Sequence, residues 1–340
     1  MRRLPSYLLV SLFLAVAVLL SIAIGPVFIP PADLWRILTG WLNTSPLPEA
    51  LKTFATIVVA IRLPHMLLFA LTGAALSGSG AAYQGLFRNP LADPYLIGVA
   101  SGAGLGAVLA MGINWPYSFW GLLAIPIFAF CGALLTVFLV YALARVGKTI
   151  PTTNLLLAGV AFSFFASALT SFLMLQSKND VRRPLVWLLG GGSQAGWQPV
   201  LGILPYVVLG LAGLLLSGHA LNVLQFGDDQ AQQMGLHVTR TKTLILIAAS
   251  LATAAAVAFS GIIGFIGLIV PHVMRMWFGS YYRRLLPLSV IVGAGALLLA
   301  DVLARVVLAP QDLPVGIVTS LIGVPFFLWV LRRAKNQGYW

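Results

Sequence analysis

Asp301 is the residue whose placement most demands a chemical role. It lies inside the apolar run 286–308, where a carboxyl group is costly enough to mark a functional site, a proton relay being the obvious one. Arg305 follows one helical turn later, and at (i, i+4) spacing the two charges can neutralise each other. No second acid stands inside an apolar run to pass a proton onward. A structural or docking role is therefore expected for the pair, with an ion-coupled secondary transporter using Asp301 as the alternative. His65, His219, His237 and His272 share no metal-ligand spacing with one another or with carboxylates, so no metal site is expected. The single Cys131 lies in an apolar run and can form neither an internal disulfide nor a multi-cysteine site. An intramembrane enzyme would need paired acids or a histidine cluster, and neither is visible.

Two motifs imitate nucleotide binding. Gly147-Lys148-Thr149 ends like a P-loop, but Ala142 occupies the leading glycine position and an apolar run stands where the strand should be. Gly102-Ala103-Gly104-Leu105-Gly106-Ala107 has the glycines of a permissive dinucleotide fingerprint without a preceding strand. It reads as close helix packing through small residues, as do Gly73, Ser77 and Gly80. Gly190-Gly191-Gly192-Ser193 reads as a flexible bend rather than an anion-binding nest.

The elements that carry these residues follow from composition. Of 340 residues, 60% are hydrophobic and 8% charged, with a mean hydropathy of +0.98. Such a chain cannot cover the surface of a water-soluble globule and reads as a polytopic membrane protein. The apolar runs are continuous rather than alternating, so helices are expected and not a barrel. Ten spans are expected, at 8–24, 56–82, 95–112, 118–144, 153–176, 199–217, 243–259, 262–278, 286–308 and 314–331. The first follows Arg2 and Arg3 without a small-residue cleavage site and reads as uncleaved. The proline-rich stretch 25–53, with Trp35 and Trp41, suits an interfacial segment on the outer side. Pro90 and Pro94 break the helix after span two. With both termini on one side, thirteen of the twenty basic residues fall at that side, which the positive-inside rule places in the cytoplasm. The net charge of +12 thus belongs to the ends of spans and not to a nucleic-acid surface.

The longest polar interruption in the second half is 222–242, a handle on the cytoplasmic side. Asp228 is placed to cap a short helix over 229–234, and Gly235 to close it in the left-handed conformation. A helix of under two turns needs packing partners, and Leu224, Phe226, Ala231, Met234 and Leu236 supply an apolar side suited to another protein's groove.

Five stretches carry a family resemblance: Arg62-Leu-Pro, Asn89-Pro-Leu-Ala-Asp-Pro94, Asn154-Leu-Leu-Leu-Ala-Gly-Val160, Gly261-Ile-Ile-Gly-Phe-Ile-Gly-Leu-Ile-Val-Pro-His272 and Leu313-Pro-Val-Gly316. With Ala300-Asp-Val-Leu-Ala-Arg305 they resemble the FecCD family, the permease subunits of type II ATP-binding-cassette importers for ferric siderophores, haem and cobalamin. The resemblance spans nearly the whole chain. It implies an all-α permease of ten transmembrane helices, one domain over 1–340, both termini cytoplasmic, in a bacterial inner membrane. It implies as partners a second copy of the chain, two ATPase subunits that bind ATP and magnesium, and a periplasmic substrate-binding protein. This chain itself would be no enzyme and bind no cofactor.

Carried over position by position, the resemblance implies a coupling role for the handle at about 222–240, with Leu224, Phe226, Gly227, Asp228, Ala231, Met234 and Gly235 against the ATPase. It implies a cytoplasmic gate at Asn89, Leu91, Thr152 and Thr153, for which the residues alone support a capped turn equally well. Arg62 and Arg305 resemble the basic residues that dock the binding protein, and His65 stands where cobalamin-type members carry a further arginine. Lys178, Arg182 and Arg183 add outer-face charge that would either dock the partner or attract an anionic ligand. That charge favours a ferric siderophore or haem as substrate over cobalamin, moved by alternating access.

Overall fold

The computed structural model describes residues 4–25, 27–43, 48–113, 115, 119–147, 149–176, 181–192 and 196–336. Lys148, Lys178 and Ser193 lie outside them. In chain order the helices are α1 (Leu4–Ala23), α2 (Pro31–Leu42), α3 (Glu49–Thr56), α4 (Leu63–Leu86), α5 (Val99–Met111), α6 (Phe119–Ala144), α7 (Thr152–Gln176), α8 (Arg182–Leu188), α9 (Trp197–Leu216), α10 (Gly218–Leu224), α11 (Asp228–Gln233), α12 (Val238–Ser260), α13 (Ile266–Phe278), α14 (Tyr282–Val307) and α15 (Val315–Asn336). A π-helical segment, Ile57–Arg62, joins α3 to α4 without a break. It lies just ahead of Pro64, whose ring would clash with the carbonyl four residues back in a regular helix. No named strand occurs among the described residues.

Among the described residues, seven helical stretches are long and apolar enough to cross a membrane: Ser6–Ala23, Leu51–Leu86, Leu123–Ala144, Thr152–Gln176, Trp197–Leu216, Val238–Ser260 and Tyr282–Val307. Three shorter apolar helices, Val99–Met111, Ile266–Phe278 and Val315–Val330, stand at the other expected spans. The protein is thus a multi-pass membrane protein whose backbone polar groups are satisfied within helices.

Helix α4 is the hub, with α14, α12, α13 and α9 packed around it. Small residues let them approach. A methyl group on Gly80 would overlap the Gly267 carbonyl of α13, and one on Gly73 would overlap Gly293 of α14. The Gly102/Gly106 stripe does the same against Gly132 and Phe128 of α6, so the glycine pattern is helix packing, as expected. Helix α12 is mostly enclosed, whereas α7 turns Phe164, Phe165, Phe172 and Leu175 outward.

Two spans begin later than the sequence suggests. After α4 the chain turns and runs back into the protein as irregular backbone before α5 starts. Gly267, at the start of α13, lies against Leu76, Gly80 and Pro94. At 1.5 Å per residue that level is about 9–15 Å inside the end of α4. The segment satisfies its own polar groups: Tyr95 N donates to Asp93 Oδ1 at 2.8 Å, Leu96 N to Asp93 O at 3.2 Å and Gly98 N to Tyr95 O at 2.8 Å. Tyr95 then bridges to the irregular turn 261–265, its hydroxyl donating to Ile263 O at 2.9 Å and accepting from Ile263 N at 3.3 Å. Non-helical backbone at membrane depth is stable only when enclosed in this way. Both flanking helices, at 13 residues each, span about 20 Å because they start inside. The bend at Gly190–Gly192 is likewise packed and not flexible: Gly192 N donates to Ser260 O at 3.1 Å, and Gly316 N to Leu189 O at 3.1 Å.

Candidate functional site: a two-helix handle and the outer-end clusters

The handle between α9 and α12 folds as two short helices, α10 and α11. Gly227, at φ 105, turns the chain between them. Gly235, at φ 85, ends α11 as expected. Its amide bonds Gln232 O at 2.9 Å and the Leu236 amide bonds Ala231 O at 3.0 Å, the paired pattern of a glycine-terminated helix. Asp228 does not cap the helix. Gly227 holds the cap position, and the Asp228 carboxylate lies 2.5 Å from Lys242 Nζ at the start of α12. The expected single apolar side is also divided. Leu224 and Ala231 are buried against the bundle, while Phe226 and Met234 are 61% and 60% exposed. A face that projects two large apolar side chains into solvent fits a site for another protein.

The handle is fastened to three membrane helices. Gln225 Nε2 donates to Gly85 O of α4 at 2.9 Å. The Tyr282 amide of α14 donates to Asn222 Oδ1 at 2.8 Å. The Asp228 to Lys242 pair holds α12, and Lys242 is buried. Movement of the handle would therefore pull on the helix ends that line the core.

The two expected gate turns are well defined. Asn89 Oδ1 accepts from the Leu91 amide at 2.9 Å, a self-capped turn. Thr152 and Thr153 open α7. Among the described residues no hydrogen bond joins the two turns. Deeper in, Leu96 and Ile97 abut Gly159 of α7 so closely that a methyl there would overlap them.

At the opposite end Arg62, His65, Asp301 and Arg305 form one cluster. His65 Nε2 is 2.9 Å from Asp301 Oδ1. Arg305 Nη2 is 2.8 Å from Asp301 Oδ2 at an angle that makes an ion pair rather than a hydrogen bond. The pairing expected at (i, i+4) is present, and the carboxylate is doubly engaged. The two arginines also bond the backbone of α1. Arg62 is buried, donating to Ile22 O at 2.6 Å, to Ala23 O at 3.0 Å and to Val27 O. Arg305 donates to Ile24 O at 3.1 Å and to Ser21 O at 3.2 Å. Both guanidinium groups bond carbonyls at and just beyond the end of α1 and so tie it to α4 and α14.

Arg182 and Arg183, exposed on the first turn of α8, line a cavity at that same outer end. Sequence reasoning missed Gln225, Lys242 and the Asp93 to Tyr95 turn. A lone glutamine or lysine next to a polar loop gives no signal of its partner.

The profile of the FecCD transport family matches residues 13–333. The chain belongs to the FecCD transport family. FecCD proteins are the permease subunits of type II importers, not enzymes, and reside in the inner membrane. The chain is 40% identical over 338 residues, 99% of its length and 96% of the relative's, to an uncharacterized ABC transporter permease protein, YvrB, of Bacillus subtilis. It is 46% identical over 281 residues to the cobalamin import system permease protein BtuC of Halobacterium salinarum, covering 83% of this chain and 74% of that one. It is 42% identical over 287 residues to the hemin transport system permease protein HmuU of Yersinia pestis, covering 82% and 83%. Among solved structures, a metal-chelate type ABC transporter in an inward-facing conformation aligns with TM-score 0.81 and 28% identity over 96% of this chain and 98% of that one.

Proposed function

We propose that this FecCD chain forms a single ten-span domain and, as a homodimer, the membrane path of an ATP-driven importer for a bulky metal chelate. The observation that carries the reading is the handle. It presents Phe226 and Met234 to solvent while its inner side is bonded to α4, α12 and α14. A nucleotide-driven subunit seated on that face would transmit its motion to the core helices, and alternating access follows if ATP favours one arrangement of the dimer over another. The relatives named for cobalamin and hemin support a metal chelate as cargo. Exposed Arg182 and Arg183 favour an anionic one, haem or a ferric siderophore, over cobalamin. Asn89, Leu91, Thr152 and Thr153 would close the cytoplasmic mouth. A periplasmic binding protein would deliver the chelate to the outer end, where His65 remains partly exposed. ATP and magnesium would bind the ATPase, and this chain holds no cofactor of its own.

What weighs against the ion-coupled alternative is that Asp301 is engaged by both His65 and Arg305. The direct test is a photocrosslinking amino acid at Met234 in native membranes. The reading expects a crosslink to a nucleotide-binding subunit; crosslinks to lipid alone would reject it.

A further inference from the structure

The close of α4 repeats the hydrogen-bond pattern that ends α11. Arg88 N donates to Gly85 O at 3.3 Å and Asn89 N to Gln84 O at 3.1 Å, as Gly235 N donates to Gln232 O at 2.9 Å and Leu236 N to Ala231 O at 3.0 Å. This paired closure puts the residue after the cap in the left-handed region, where glycine avoids the crowding that any residue with a Cβ meets. At α11 that residue is Gly235, at φ 85. At α4 it is Arg88, at φ 50, in a region that only Phe265 shares among the described non-glycine residues. The backbone asks for glycine, and the chain supplies an arginine.

Nothing in the fold makes use of that side chain. Arg88 is exposed, and among the described residues no hydrogen bond or ion pair engages its guanidinium group. Its Nη1 lies over the turn of the handle, 3.4 Å from where a methyl group on Gly227 would stand. Gly227 directly follows the exposed Phe226. The acids of the handle leave Arg88 unpaired: Asp228 bonds Lys242, and Asp229, also exposed, forms no ion pair with it. The positive-inside bias asks for cations on this side of the membrane, but any ordinary position in the turn would serve that purpose without the left-handed backbone.

We propose that Arg88 is the charged half of the docking face that the handle presents, and that it binds a carboxylate of the nucleotide-binding subunit next to the seats of Phe226 and Met234. A guanidinium fork pairs with a carboxylate through two charge-assisted hydrogen bonds, and arginine beside an aromatic anchor is the composition of energetic centres at interfaces. A strained residue whose side chain is engaged only by a partner fits the clustering of backbone strain at functional sites. Arg88 also directly precedes Asn89 and Leu91, so a partner that holds it holds the start of that turn. The inference rests on the importer reading and adds to it the chemistry of one partner contact.

The test titrates the purified ATPase subunit onto the full permease in phosphatidylcholine nanodiscs, for the parent, Arg88→Gly and Arg88→Lys, with thermal unfolding of each permease alone. Arg88→Gly relieves the left-handed residue and removes the guanidinium group. It is expected to unfold no earlier than the parent and yet to bind the ATPase subunit about tenfold more weakly. The affinity of the parent should also fall more steeply with salt than that of Arg88→Gly. With Arg88→Lys, a carbodiimide should join the amine at position 88 to a carboxylate of the bound subunit as an amide, the reagent taking up the water as its urea, and mass spectrometry should find the joined peptides. Equal affinity in the parent and Arg88→Gly would overturn the proposal, as would earlier unfolding of Arg88→Gly or an amide formed only with Asp229 of the permease. So would an affinity difference that appears only when phosphatidylglycerol is added, which would mark a lipid phosphate as the occupant. A parent that binds no ATPase subunit refutes the importer reading itself, so the two failures are distinguishable.

Discussion

Removing the carboxylate of Asp228 tests whether the handle is set by its fastening to α12. Lys242 is only 11% exposed at its side chain and has Asp228 as its ion-pair partner, while Asp228 is 45% exposed. The pair is therefore asymmetric. Asp228→Ala leaves a mostly buried ammonium group without its partner, a loss of about 1–3 kcal/mol for a stranded buried group. The flexible lysine stem can carry the charge partway to water, which holds the cost to about 1–2 kcal/mol. If this falls on the docked orientation of α11, affinity for the ATPase subunit drops roughly 5- to 30-fold, at about 1.4 kcal/mol per tenfold. Lys242→Met leaves a half-exposed carboxylate that water can solvate, so its cost stays below about 1 kcal/mol. The assay is a titration of purified ATPase subunit onto the permease in nanodiscs, with thermal unfolding as a control for global damage. The reasoning is refuted if Asp228→Ala binds as tightly as the parent, or if Lys242→Met is the more damaging of the two.

Four further outcomes are expected. Gly80→Ala forces α4 away from the Gly267 carbonyl and should cost about 1–3 kcal/mol, read as a lowered unfolding temperature in detergent; an unchanged midpoint would argue against backbone contact there. Tyr95→Phe removes the hydroxyl that engages both Ile263 O and Ile263 N, and should speed hydrogen exchange across 261–265 while leaving α1 unaffected. Asp301→Ala strips Arg305 of its counter-ion and should destabilise by about 3–5 kcal/mol. ATP-driven uptake by the parent protein should be indifferent to a protonophore, and inhibition by one would restore the ion-coupled reading.

Much of this architecture is legible in the sequence because hydropathy and charge bias act over long runs. The seven long spans, the handle and the small-residue packing stripes are all signalled by many residues at once. What escapes is decided by single partners or by depth. The apolar stretches 95–112 and 262–278 look like full spans, yet nothing in their composition tells that 94–98 and 261–265 are irregular backbone packed among the helices, since an enclosed turn and a surface turn use the same residues. Asp228 follows a glycine at a plausible cap position, but φ 105 suits Gly227 alone, and Lys242, fourteen residues on, takes the carboxylate. The bonds from Arg62 and Arg305 to the carbonyls of α1 escape as well, because those carbonyls lie about 40 and 280 residues away in the chain. Recognition of the FecCD pattern supplied the partners, and the geometry supplied the way the handle is tied to the core.

The central claim is that this chain is the membrane half of an ATP-driven importer, and the most direct measurement isolates it from its own membranes in mild detergent and weighs the intact complex. The account predicts a mass equal to two copies of this chain and two nucleotide-binding subunits, with metal-chelate uptake into vesicles that requires ATP inside the compartment on the handle side. A chain that comes away alone, with uptake indifferent to ATP, would contradict it.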